Sequence, residues 1–307
     1  MKATWPGCSA LATWSISCPD FFPLGDKHVL MFISHYRGTQ YYIGRYENER
    51  FYPDRHGRMN WAGGPCFAQE TLLDAKGRRI FWAWAADHRT RQAALRSGWA
   101  GVLTLPRVLS LAPDGNLAIE PAEELNVLRY DHRRHENVKL AADTPWAQPD
   151  VAGDCLELAL EADLAGATEF VVIVRCSPDG QEQTAILYNP AARTLSIDTT
   201  RSTLSPDVVQ TWPLPIMNFF FDNPLADGRQ DVRVQSAPFD LPAGEPLKLR
   251  IFLDCSMLEV FANGRQCLTQ RIYPTRPDSL GISLTARGGP VTVRRLDAWQ
   301  MNASNPW

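Results

Sequence analysis

Leu247-Lys248-Leu249-Arg250-Ile251-Phe252-Leu253-Asp254 puts a large aliphatic residue at every second position, the period at which one face of a pleated strand enters a core. Lys248, Arg250 and Phe252 fall on the other face. Downstream, Asn263-Gly264 stands between Val260-Phe261 and Leu268, a two-residue hairpin signal because both turn residues accept positive φ. Leu280 to Thr285 and Val291 to Leu296 continue the series. The C-terminal half therefore reads as a sandwich of short antiparallel strands.

Towards the N-terminus the same texture recurs as hairpins. His28 to His35 pairs with Gln40 to Tyr46 around Arg37-Gly38-Thr39, and Cys66 to Leu73 with Arg79 to Ala85 around Asp74-Ala75-Lys76-Gly77. A third hairpin joins Gly101 to Leu111 with Leu117 to Pro121 around Pro113-Asp114-Gly115-Asn116. No long window keeps a 3.6-residue apolar period, so the class is all-β. Hairpins recurring at about 35–45 residues suit propeller blades. The charged run Arg129-Tyr130-Asp131-His132-Arg133-Arg134-His135-Glu136 reads as a linker or short connecting helix, dividing the chain into residues 1–130 and 131–307.

The chain has 307 residues, 45% of them hydrophobic, and a formal charge of -3, enough apolar material for two packed cores. This balance gives no electrostatic footprint for nucleic acid or an anionic membrane, and small neutral molecules are the expected ligands. No apolar run approaches the roughly 20 residues of a membrane span. The seven cysteines, Cys8, Cys18, Cys66, Cys155, Cys176, Cys255 and Cys267, contain no C-x-x-C pair, so neither a metal site nor a disulfide framework is expected. Trp5-Pro6-Gly7-Cys8-Ser9 interrupts any apolar leader after Lys2. A cytoplasmic protein with reduced thiols and no cofactor is expected.

Five segments, in order, carry a resemblance. Trp14-Ser15-Ile16-Ser17-Cys18-Pro19-Asp20-Phe21-Phe22 is similar to a segment built on Glu-Cys-Pro-Asp, and Gly98-Trp99-Ala100-Gly101-Val102-Leu103-Thr104-Leu105-Pro106-Arg107 to a Trp-Ala-Gly-Val-Leu-Ser-Leu-Pro-Arg run. Arg201-Ser202-Thr203-Leu204 is similar to an Arg-Ser strand, Asp254-Cys255-Ser256-Met257-Leu258-Glu259-Val260-Phe261 to Asp-x-Ser-x-x-Glu-Val-Phe, and Arg271-Ile272-Tyr273-Pro274 follows at a matching distance. Together they resemble glycoside hydrolase family 32, the β-fructofuranosidases (invertases, inulinases, levanases), over residues 14 to about 300. The resemblance implies a five-bladed β-propeller followed by a β-sandwich, with residues 1 to about 130 covering about three blades. An open propeller exposes sheet edges, so a homo-oligomer covering them is expected.

The family's general acid/base Glu corresponds to Ser17, and its nucleophile motif Asn-Asp-Pro-Asn-Gly and its Arg-Asp-Pro motif occur nowhere in these 307 residues. The chain thus looks like an N-terminally truncated fructosidase, beginning after two of three catalytic carboxylates and with the third replaced. Retaining hydrolysis needs two carboxyl groups about 5–5.5 Å apart, and a serine hydroxyl is too weak an acid to substitute for one. Impaired or absent catalysis is the leading expectation. A sucrose- or fructan-binding module is the alternative, as is a true β-fructosidase using a partner chain or an unrecognised carboxylate among Glu47, Glu49, Asp54, Glu70 and Asp87. A Ser or Cys nucleophile with a His base has no G-x-S-x-G elbow to support it.

The resemblance assigns Asp20 to sugar-binding hydrogen bonds, although an Asp after Pro also caps turns. Cys66-Phe67-Ala68-Gln69-Glu70-Thr71 resembles the family's Phe-Ala-Pro-Glu segment, which makes Glu70 a channel-side group with Gln69 where Pro is usual. Trp61, Trp84 and Trp99 are candidates for stacking on sugar faces, with blade packing as the competing role. Trp82 shares a strand face with Trp84.

Overall fold

The computed structural model describes residues 16–34, 36–213, 225 and 228–305. Lys2, Trp5, Cys8, Trp14, Ser15 and His35, used above, lie outside the described residues. Strands β1 (Ile16–Leu24), β2 (Lys27–Ser34), β3 (Gly38–Glu47) and β4 (Arg50–Arg58) form one antiparallel sheet in chain order. A second sheet contains β5 (Cys66–Leu73), β6 (Arg79–Ala85), β7 (Val102–Leu103), β8 (Arg107–Leu111) and β9 (Leu117–Pro121). In it β6 pairs on one side with β5 and on the other with both β7 and β8.

Two blade-like sheets are therefore present among the described residues, where the family resemblance implies about three. The hairpins at 66–85 and 107–121 share a sheet because Arg79, Ile80 and Phe81 pair with Leu109, Val108 and Arg107. The expected strand from Gly101 to Leu111 divides into β7 and β8. A short helix not anticipated from the sequence, α1 (Arg91–Ser97), lies between β6 and β7. Thr90 caps its first turn and Gly98, at φ 75°, ends it in the left-handed conformation.

After a 3-10 turn at Glu123–Leu128 come β10 (Arg129–Leu140), β11 (Cys155–Asp163), β12 (Glu169–Cys176), β13 (Thr184–Asn189) and β14 (Thr194–Asp198). The two-residue β15 (Thr211–Trp212) and β16 (Gln230–Asp231) pair with each other. Then follow β17 (Val234–Pro238), β18 (Leu247–Asp254), β19 (Met257–Ala262), β20 (Gln266–Arg271), β21 (Gly281–Arg287) and β22 (Val291–Met301). A six-stranded sheet ordered β10-β22-β11-β18-β19-β20 faces a five-stranded sheet ordered β17-β14-β13-β12-β21.

The run at 129–136, expected as a linker or helix, is instead the start of edge strand β10, which pairs with β22. Its charges fit an edge, where one side of the backbone meets water. Three nearby basic side chains converge on Asp297 of β22: Arg134 Nε at 2.8 Å, His132 Nε2 at 2.6 Å, and Arg295. Arg201–Leu204, compared above with a strand, lies in turns after β14.

The alternation in β18 is kept in space. Leu247, Leu249, Ile251 and Leu253 enter the core between the sandwich sheets with Leu258, Val260 and Leu268. The opposite face carries Phe252, which joins Phe261 and Cys267 in a second core with Phe22, Met31, Ile43, Phe81 and Leu109 of the blades. Strands β19 and β20 are consequently buried at every residue. The six-stranded sheet is at once half of the sandwich and the floor on which the blades rest.

That floor carries an ion pair. Arg107 of β8 and Glu259 of β19 are 3.4 Å apart, with side chains 0% and 1% exposed. Arg107 Nη2 also donates to Thr269 Oγ1, and Glu259 Oε1 accepts from the Leu105 amide at 3.1 Å. Burial pushes the Glu259 carboxyl up despite Arg107. No helix among the described residues is long and apolar enough to cross a membrane.

Candidate functional site

Ser17 and Asp20 lie on β1, where the pairing with β2 shifts between Ser17 and Asp20 and Cys18 takes φ 50°. A bulge of this kind re-aims side chains at the end of a strand. The facing strand has its own bulge: β5 shifts against β6 between Phe67 and Glu70, with Ala68 at φ 47°. Buried Gln69 ties the two together. Its Nε2 donates to the Cys18 carbonyl at 2.8 Å, and its Oε1 accepts from Thr39 Oγ1 at 3.3 Å. A proline at 69, the usual family residue, has no side-chain donor for this bond.

The Asp20 carboxylate accepts a hydrogen bond from Thr71 Oγ1 at 2.5 Å, and Thr71 in turn lies 3.4 Å from Arg79 Nη1. The guanidinium of Arg79 stands 4.5 Å over the Phe22 ring. Asp20 is thus held between strands rather than capping a local turn. Glu70 is exposed and sits opposite Trp82 in the ladder. Cys18, Ala68, Trp84 and Trp212 pack around buried Ile33, Phe67 and Ala86. Trp84 meets Phe67 edge-on at 6.2 Å, and Gly101, at φ 65°, leaves space for its indole.

The structure brings Ser17, Asp20, Glu70 and Trp84 onto or beside the two bulged strands, and leaves the other two tryptophans elsewhere. Trp61, 8% exposed, belongs to the sandwich core. Trp99 is half exposed, but Arg89 lies 4.1 Å and Arg271 5.3 Å from its ring centroid, so arginines already occupy its aromatic surface. Trp82 and Trp84 do share a face, opposite buried Phe81 and Ala83.

Asp87, one of the alternative carboxylates, is fully engaged. Arg89 Nη2 donates to it at 2.7 Å, Tyr273 Oη at 3.0 Å and the Arg89 amide at 2.8 Å. Burial raises its pKa, but the hydrogen bonds from Arg89 outweigh burial and hold the carboxyl below its usual range. Beside it, His88 is 3% exposed, and burial pushes the imidazole down to about 4. Thr71, His88 and Arg89 had no signal in the sequence, and Gln69 was marked there only as a departure from the usual Pro, its bond to Cys18 depending on a strand brought up by folding.

The "Glycosyl hydrolases family 32 N-terminal domain" pattern matches residues 7–121, and "Glycosyl hydrolases family 32 C terminal" matches residues 124–300. The chain belongs to glycosyl hydrolase family 32. Among curated proteins it is 27% identical over 305 residues to a sucrose-6-phosphate hydrolase of Zymomonas mobilis, covering 94% of this chain and 54% of that protein. It is also 27% identical over 367 residues to the insoluble isoenzyme 1 of beta-fructofuranosidase from Daucus carota, covering 98% and 58%. The chain thus spans a little over half the length of these relatives. Fructan 1-exohydrolase IIa from Cichorium intybus superposes with a TM-score of 0.80 at 22% identity, over 94% of this chain and 62% of that one. Exo-inulinase from Aspergillus awamori gives 0.72 at 20%, over 94% and 57%. These likenesses fix the fold as part of the family's five-bladed propeller with its sandwich.

Proposed function

We propose that this chain is a β-fructosidase-like protein whose hydrolytic chemistry is impaired at Ser17. The observation that carries the proposal is the setting of Ser17. It lies in the bulged segment that resembles the family's acid-bearing motif, clamped by Gln69 and followed by an engaged Asp20. The scaffold around the acid position is organised while the acid is absent. Loss of a positioned general acid costs about 10²- to 10⁴-fold in rate. The 307 residues also contain neither aspartate motif, and a segment or partner chain supplying both would still leave no proton donor at position 17.

Fructose release from sucrose, inulin and levan, followed chromatographically over many hours against a boiled control, tests the proposal. Release no faster than the control is expected. Turnover at rates typical of enzymes would refute it and point to another carboxylate pair.

The second reading is sugar binding without turnover, favoured by the Asp20–Thr71 bond beside Glu70 and Trp84. One of the solved relatives, a fructan 1-exohydrolase IIa variant, carries 1-kestose. Isothermal titration with sucrose and inulin tests this, and no heat at millimolar ligand would count against it. The same proposal includes a cytoplasmic location, suggested by six free thiols among the described residues, and a division into two modules near residue 130. It also includes self-association through the apolar outer face of the first blade, lined by Ile16, Leu30, Phe32, Tyr42 and Phe51, which sedimentation would detect.

A further inference from the structure

Cys155 and Cys255 are 100 residues apart in sequence, yet their Sγ atoms lie 3.5 Å from each other. Cys155 opens β11 and pairs with Asp254, and Cys255 is the next residue, in the two-residue turn joining β18 to β19. The Cys255 amide donates to the Asp154 carbonyl at 2.8 Å, which fixes the turn against the start of β11. Cys255 takes φ 49°, a conformation favouring Gly or Asn over a side chain such as cysteine. Cys255 is exposed and Cys155 half-buried.

Two chemistries suit neighbouring thiols. With Asp254 they form a three-ligand group that could hold a soft metal ion. The surroundings argue otherwise, because Arg175, 7% exposed, lines the same recess as Cys255 and interacts electrostatically with its sulfur. This guanidinium, held 3.4 Å from the Asp154 carboxylate, opposes a metal cation beside the sulfur. We propose that Cys155 and Cys255 form a reversible oxidation site that closes to an intramolecular disulfide by exchange with a low-molecular-weight disulfide.

The Cys255 thiolate attacks one sulfur of the small disulfide, breaking its S–S bond and releasing one thiolate. Cys155 then loses its proton to solvent and attacks Cys255 Sγ, expelling the second thiolate. Two protein thiols are oxidised by two electrons, and the small disulfide is reduced to two thiols. The roles divide by environment: burial and the adjoining Cys255 push the Cys155 thiol up to about 11, which suits the resolving partner rather than the first attacker.

The test uses the full chain equilibrated with oxidised and reduced glutathione, quenched by alkylation and mapped by peptide mass. A Cys155–Cys255 linkage is expected, raising Tm by roughly 5–15 °C because the closed loop is long, with both changes reversed by reductant. Cys155→Ser should stop at a glutathione adduct on Cys255, and Cys176→Ser should leave the linkage intact. A stable adduct on Cys255 with no linkage in the unsubstituted chain would overturn the proposal, as would a linkage from Cys255 to Cys176. The map of the unsubstituted chain decides the matter even if a variant folds poorly.

Discussion

His88 is expected to make the protein acid-sensitive in a defined window. Its Nδ1 accepts from the Thr211 amide at 3.2 Å and lies 3.2 Å from the Val209 carbonyl oxygen, whereas Nε2 is buried with no protein partner. A second proton would charge a fully enclosed ring and cost Nδ1 its bond from the Thr211 amide, and burial accordingly lowers the pKa from 6.5 to about 4. The unfolded chain binds the proton first as pH falls. Stability from this residue is therefore complete above about pH 6.5, declines between 6.5 and 4, and falls no further below that. At about 1.36 kcal/mol per pH unit the loss reaches about 3 kcal/mol by pH 4. The variant His88→Asn keeps an acceptor for the Thr211 amide and cannot titrate. It should lose about 1–2 kcal/mol at pH 7 from imperfect packing, yet lose about 3 kcal/mol less than the parent between pH 7 and pH 4. Urea unfolding at both pH values measures this. Parallel losses in the two proteins, within about 0.5 kcal/mol, would show that His88 is not the acid-sensitive group.

Arg107→Met should destabilise the protein by about 3–5 kcal/mol, because the Glu259 carboxylate would be left buried without its cation. The double variant with Glu259→Gln should recover a good part of that loss, and failure to recover would mean that packing rather than charge dominates. Gly101→Ala places a methyl carbon 1.9 Å from Trp84 Nε1 at a positive φ. A cost above about 2 kcal/mol is expected, with a shifted tryptophan emission; unchanged emission and Tm would contradict the packing described here. Ser17→Glu in this 307-residue chain should still release no fructose from sucrose, and measurable release would locate a nucleophile outside the family motifs.

Strand content was legible where alternation or a turn signal marked it, although β11 to β14 and β17, which also bury one face, were not named from the sequence. The alternation at 247–253 and the Asn263-Gly264 turn identified β18 to β20, and the hairpin limits at 66–73 and 79–85 coincide with β5 and β6. The edge strand β10 was not legible, because its charges are answered by Asp297, which is 163 residues from Arg134 in the chain. Blade membership was equally hidden. Only the pairing of β6 with β8 shows that two hairpins share one sheet. Resemblance marked the segment holding Ser17 and Asp20, but the clamp at Gln69 departs from the family pattern and became visible only as a hydrogen bond across 51 residues. Tyr273 stood in a quoted motif, and its contact with Asp87 emerged from the fold.

The floor formed by β18 to β20 belongs to two cores, and this limits how the chain can be divided or recombined. A piece carrying only the sandwich would turn Phe252, Phe261 and the unanswered Glu259 towards water. The blades without it would lose the surface that holds their inner ends together. Neither half is an independent cassette. Exchanges between homologous chains should succeed only when the segment around Arg107 travels together with the strand that presents Glu259.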